Sequence, residues 1–229
     1  MTKKLYEIRR GATTEIDVPH AGDISTFIHP KSGPGTYAQV QEEITGVGLL
    51  PPPMAETASL VYAAFQGDEQ ELQDIRQTMK NRWLWAFTGT LYVPNKGVYI
   101  QDHPEIRNGM PFMQEVDLVA KLESNAPGVR FVPFGFKTED MTSHELSKNA
   151  YVIALAGEEG ADKLAEIADR HKVKKPYLWS FESIDEPLAS VSALYSYLGG
   201  RGLLVVGGDF GGSGGGCAFG VRSRDERSE

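Results

Sequence analysis

The chain has 229 residues, 41% hydrophobic, 24% charged and 10% aromatic, enough apolar material for a sizeable core, which excludes a disordered chain. A formal net charge of −8 argues against the clustered Lys and Arg of a nucleic-acid interface or a polybasic membrane patch. A lone cysteine, Cys217, excludes an internal disulfide framework and a cysteine-rich zinc site. Residues 1–10 hold no apolar core of signal-peptide length, and no apolar run approaches the ~18 residues of a membrane span. The expectation is a soluble protein made in the cytoplasm, with display at the cell surface by a route lacking a classical signal left open.

In chain order, residues 4–8 alternate and predict an opening strand. Residues 11–35, rich in Gly, Pro, Thr and Ser, predict mostly loop. Residues 37–44 predict a short helix, stopped by the run Pro51-Pro52-Pro53. Helical spacing recurs over 54–65 and 68–82, the latter with acids in its first turn. Two β-branched and aromatic runs, 90–93 and 98–100, flank Pro94-Asn95-Lys96-Gly97 and predict a hairpin. A helix is expected over 112–122, with Val116, Val119, Ala120 and Leu122 on its apolar side. Strands follow at 129–134, 151–155 and 177–181, with a short helix start at 142–145 and an amphipathic helix over 162–171. Trp179, with Tyr177 and Phe181, reads as core. Neither an internal repeat nor a dividing linker interrupts the pattern, so one α+β domain spanning 1–229 is expected.

Catalytic patterns are weak. The glycines at 207–216 follow an apolar run, as in a phosphate-binding loop, but lack the Lys and the helix such a loop requires. The five histidines, His20, His29, His103, His144 and His171, show no metal-ligand spacing. Glu158-Glu159 and Asp185-Glu186 read as exposed turns and helix starts rather than an acid/base pair. Cys217 has no activating neighbour in sequence and reads as an inert free thiol at or near the surface.

The C-terminal segment is more informative. Eleven of the 25 glycines fall between Gly199 and Gly220, yet the segment keeps enough apolar residues to pack. From Pro187 to Asp225 there is no Lys, Glu, Gln, Met or Trp, where about eight would be expected from their share of the chain. An AAC or AAT codon randomised at its two adenines can never yield those five residue types.

The stretches Ser190-Val191-Ser192-Ala193-Leu194-Tyr195 and Gly216-Cys217-Ala218-Phe219-Gly220-Val221-Arg222 resemble the variable region of variable proteins from diversity-generating retroelements, the archaeal (nanoarchaeotal) ones above all. The resemblance covers about the last 35 residues. It implies an α+β, C-type-lectin-like domain of mixed short strands and helices, with a Gly-rich variable ligand-binding segment at about residues 192–217. It further implies a non-enzymatic display protein diversified by adenine-directed mutagenesis, with no catalytic residue, no metal and no cofactor. Its partner would be an unknown protein or cell-surface ligand, with no nucleic acid and no membrane insertion. The paired cysteines and Trp-Asn-Asp motif of calcium-dependent lectins are missing, as are the cysteines of formylglycine-generating enzymes.

Alternation within 203–206 places Leu203 and Val205 inward and Leu204 and Val206 outward, although the opposite phase fits the pattern nearly as well. The expected ligand-binding set is Ser196, Leu198, Arg201, Leu204, Val206, Gly208, Asp209, Phe210, Gly212, Ser213 and Cys217. Two other readings remain open: a structural or assembly protein whose glycine-rich tail is an invariant packed element, and an enzyme with an unrecognised site.

Overall fold

Three antiparallel strands, β1 (Glu7–Arg10), β2 (Thr14–His20) and β3 (Asp23–His29), form a small sheet at the start of the chain. The computed structural model describes residues 5–170, 175–196, 203–209, 211–212 and 214–223. The expected loop over 11–35 is therefore corrected to a hairpin followed by a short strand, β4 (Ser32–Gly35). Ile16 and Val18 alternate into the core with Phe27 opposite, and the hairpin closes on Ala21 and Gly22, both at positive φ. Such a turn favours Asn-Gly, so Ala-Gly hid it from the sequence reading.

Helix α1 (Tyr37–Gly46) starts on a reciprocal cap between Thr36 and Gln39. Helices α2 (Met54–Ala64) and α3 (Gln70–Asn81) lie where helical spacing predicts them. The hairpin β5 (Leu84–Val93) and β6 (Gly97–Asp102) follows, with Asn95 supplying the positive φ of its turn. After the two-residue pair β7 (Ile106–Arg107) and β8 (Met110–Pro111), helix α4 (Glu115–Glu123) buries Leu118 but leaves Val116 79% exposed, against expectation.

Strands β9 (Val129–Pro133) and β10 (Glu139–Asp140) precede α5 (Ser143–Lys148), which Thr142 and Glu145 cap reciprocally. The strand expected at 151–155 is instead the start of α6 (Ala150–Arg170), kinked at Gly157. Tyr151, Val152, Leu155 and Ala156 bury one helical face, a spacing that a short apolar run shares with a strand. Four strands complete the chain: β11 (Tyr177–Trp179), β12 (Leu188–Tyr195), β13 (Leu204–Asp209) and β14 (Gly216–Ala218).

The main sheet runs β10-β11-β13-β12-β5-β14-β4, with β6 also pairing β5 and β9 beyond it. Strand β5 is buried along all ten residues because both faces of the sheet are covered. On one face, Leu84, Ala86, Leu194, Leu203 and Val205 join the core under α2, α3 and α6. On the other, Trp85, Phe87, Val191, Ala193, Val206 and Ala218 pack with Tyr37, Val40 and Ile44 of α1. The chain end ties the two sheets together. Val221 exchanges backbone hydrogen bonds with Leu50, the Ile28 amide donates to the Gly220 carbonyl at 2.9 Å, and Arg222 reaches Glu15.

Candidate ligand-binding surface

Strands β12 and β13 supply most of the described part of the variable-looking segment, and cross-strand register fixes what each residue faces. Leu204 lies opposite Tyr195 of β12 on one side and Tyr177 of β11 on the other. Trp83, just before β5, packs at a tilt against Tyr195 with ring centroids 4.8 Å apart. All four side chains are half-buried, so an aromatic row crosses the sheet beyond the reach of α1. Two residues along on the same face, Ala193 and Val206 are covered, but Trp179, paired with Val206, is 51% exposed.

The phase chosen for 203–206 agrees with the structure: Leu203 and Val205 enter the main core, while Leu204 and Val206 lie on the opposite face. That face is not uniformly open. Val206 is 1% exposed in the buried layer it shares with Phe87, Val191 and Ala193, so its expected display position is corrected. At Val206 the outward apolar residue reflects a packed layer rather than a chance draw. Cys217 is likewise corrected, being fully buried between β4 and β5 with its thiol pushed up by burial. Trp179, expected in the core, is displayed. The sequence signal was present: Tyr177-Leu178-Trp179 alternates around the buried Leu178, which places both aromatics on the other face.

Of the remaining expected site residues, Ser196 is half-buried at the end of β12 and Gly212 is exposed. Gly208 is buried, and a Cβ there would meet Phe181 at 3.0 Å. Asp209 lies on β13 opposite Val191, its side chain outside the described atoms. Leu198, Arg201, Phe210 and Ser213 lie outside the described residues. The structure thus leaves Leu204 and Ser196 half-buried, and adds Trp83, Tyr177, Trp179 and Tyr195 beside Leu204, which sequence reasoning had not assigned to the surface.

Beneath the row, β13 is pinned. The register with β12 shifts by one residue between Val206 and Asp209, a bulge at Gly207-Gly208. Thr90 Oγ1, Tyr92 Oη and Tyr151 Oη all donate toward the Gly207 carbonyl, at 2.9, 2.8 and 3.0 Å. Burial pushes Tyr92 up to about 12 and Tyr151 well above its ordinary value, so both hydroxyls stay protonated as donors. Ser192 Oγ lies 3.1 and 2.8 Å from the carbonyls of Ala86 and Thr88, where β5 itself bulges against β12. A buried polar network of this kind fixes the strand on which the display residues stand.

The candidate chemistry elsewhere is used for structure. Glu159 holds Lys163 and the Ala21 amide, and His20 meets the fully buried Ser59 at 3.1 Å. Among the described residues, no three His, Cys, Asp or Glu side chains converge as a cation site, and no helix is long and apolar enough to cross a membrane.

These layers and the strand order define an α+β domain of the C-type-lectin-like class. No protein-family model and no curated protein matches the chain. Among solved structures, it is similar to a chain described as the accommodation of massive sequence variation in Nanoarchaeota by the C-type lectin fold. The superposition has a TM-score of 0.55 at 17% identity and covers 82% of this chain and 94% of that one. The fold is therefore that of the C-type lectins.

Two measurements check the assignment of faces. Val206→Ser is expected to cost about 2–4 kcal/mol, since it opens a hole in a packed layer and buries a hydroxyl there. Leu204→Ser should stay within about 1 kcal/mol, the range of a half-exposed site. Equal denaturant midpoints for the two variants would contradict the division. Cys217 should resist a thiol reagent in the native protein and react fully on unfolding; rapid native labelling would place it at the surface.

Proposed function

We propose that this protein is a non-enzymatic, ligand-binding display protein. Its C-terminal segment is diversified by the adenine-directed mutagenesis of a diversity-generating retroelement. The observation that carries the reading is the joint character of residues 187–225: a composition that lacks the five residue types unreachable from adenine-randomised AAC or AAT codons, in strands whose buried positions are packed and whose open positions are not. A fold that holds both kinds of position on one rigid sheet can vary its surface without losing its core. The likeness to a nanoarchaeotal chain of the same fold agrees with this reading. The partner is a protein or cell-surface ligand, bound across Ser196, Leu204, Gly208, Asp209 and Gly212, together with Leu198, Arg201, Phe210 and Ser213.

On this reading, the room around each glycine limits where variation is expected. A Cβ at Gly207 would lie 1.9 Å from the Tyr151 hydroxyl, and one at Gly216 would lie 1.9 Å from Trp85 Nε1, so these glycines belong to the scaffold. At Gly214 a Cβ meets nothing within 4 Å. Sequencing sibling gene copies tests the proposal. Differences should fall at template adenines within residues 192–217 and spare Gly207, Val206 and Gly216. Substitutions spread evenly along the gene would overturn it and favour an invariant, packed glycine-rich tail.

A further inference from the structure

Beside the aromatic row, an open depression of about 450 Å³ is lined in part by Glu139, Tyr177, Trp179, Phe181 and Glu182. Three observations point to its occupant. The Trp179 indole, 51% exposed, offers a π face, and a cation within ~6 Å of such a ring is attracted by its quadrupole. Two exposed carboxylates, Glu139 and Glu182, share the wall, and Thr138 Oγ1 orients Glu182 by donating to Oε1 at 2.5 Å. The nearby lysines are committed elsewhere, Lys137 to Glu145 at 2.8 Å and Lys175 to Asp140 at 3.2 Å. Among the described residues, no Lys or Arg lies within ion-pair distance of Glu139 or Glu182. On a chain of net charge −8, the depression thus joins an exposed indole to negative charge that no described cation pairs.

We infer that this depression is a fixed subsite for an arginine or lysine side chain of a protein ligand. The inference rests on the display reading above and names the partner chemistry of the same surface. The subsite adjoins the diversified strand through the pairing of β11 with β13, and Phe181 on its wall packs against Gly208. A side chain larger than glycine at 208 must move Phe181, so a draw at that position reshapes the depression. The fixed residues anchor a basic side chain, and the variable ones select what surrounds it.

The test uses the full chain and two probes, acetyl-Gly-Arg-Gly-amide and the same peptide with neutral citrulline in place of arginine. The readout is the indole N–H resonances of the three tryptophans, with Trp179→Phe identifying the Trp179 signal. The arginine peptide should shift the Trp179 resonance saturably and leave that of the fully buried Trp85 in place. The citrulline peptide, and the Glu139→Gln/Glu182→Gln double variant with the arginine peptide, should each bind about tenfold more weakly. Equal affinity for both peptides, an unmoved Trp179, or an unaffected double variant would overturn the inference. So would a methyl glycoside that shifts Trp179 where the arginine peptide does not. Glu139, Trp179 and Glu182 lie outside residues 192–217, so failure here leaves the display reading standing. Success here with uniform variation among sibling genes would instead leave a basic-peptide subsite on an undiversified domain.

Discussion

Alanine at Gly216 or Gly207 is expected to destabilise the fold by about 3 kcal/mol, the upper end of what overpacking costs. At Gly216 the added methyl would lie 1.9 Å from Trp85 Nε1 and 2.1 Å from Cε2. Trp85 cannot retreat: it is fully buried, its indole donates to the Gly35 carbonyl at 3.2 Å, and Tyr37 packs edge-on against it. The backbone cannot retreat either, because Gly216 pairs with Gly35 in the sheet. At Gly207 the methyl would meet the hydroxyl of Tyr151, which donates to the Gly207 carbonyl itself. Relief at either site breaks a buried hydrogen bond, which adds its own cost. Gly214→Ala, facing open space, serves as the control and should change stability by no more than about 0.5 kcal/mol. Denaturant midpoints check all three. A neutral result at Gly207 and Gly216 would mean that these glycines are variable draws rather than scaffold.

Phe219→Ala should be costlier still, about 3–5 kcal/mol. Phe219 is 1% exposed in the main core and stacks on His29 with centroids 6.2 Å apart. It stands where the chain returns to β3, just before the Gly220 carbonyl that accepts from Ile28 and the Arg222 amide that donates to the Thr26 carbonyl. Truncation therefore opens a cavity at the junction of the two sheets. An unfolding free energy within about 1 kcal/mol of the parent would show that the C-terminal return is not part of the cooperative fold.

The parts of this architecture legible in sequence are those set by local rules. The β5–β6 hairpin follows from its Pro-Asn-Lys-Gly turn, with Asn95 at φ 58. Helices α2 and α3 follow from spacing, and α5 from the Thr142–Glu145 cap. The β2–β3 hairpin was hidden because Ala21-Gly22 lacks the usual turn chemistry, and the first turns of α6 because five apolar residues in a row carry no period of their own.

For the site, composition marked the right segment, and alternation gave the right phase at 203–206. What sequence could not supply was the cover. Val206 belongs to a buried layer assembled from α1, β5 and β12, and nothing local distinguishes it from Leu204 two positions away. Trp179 was misplaced for the converse reason: a large aromatic in an apolar run reads as core until the neighbouring strands show that its face is bare.

The most direct test of the central claim is a library of this chain randomised at Ser196, Leu204 and Gly212, with Val206, Gly207 and Gly216 fixed, selected against several unrelated proteins. The account predicts folded, target-specific binders that melt close to the parent and lose affinity when those three positions are reverted. Binders that keep their affinity on reversion, or a library that fails to fold, would contradict it.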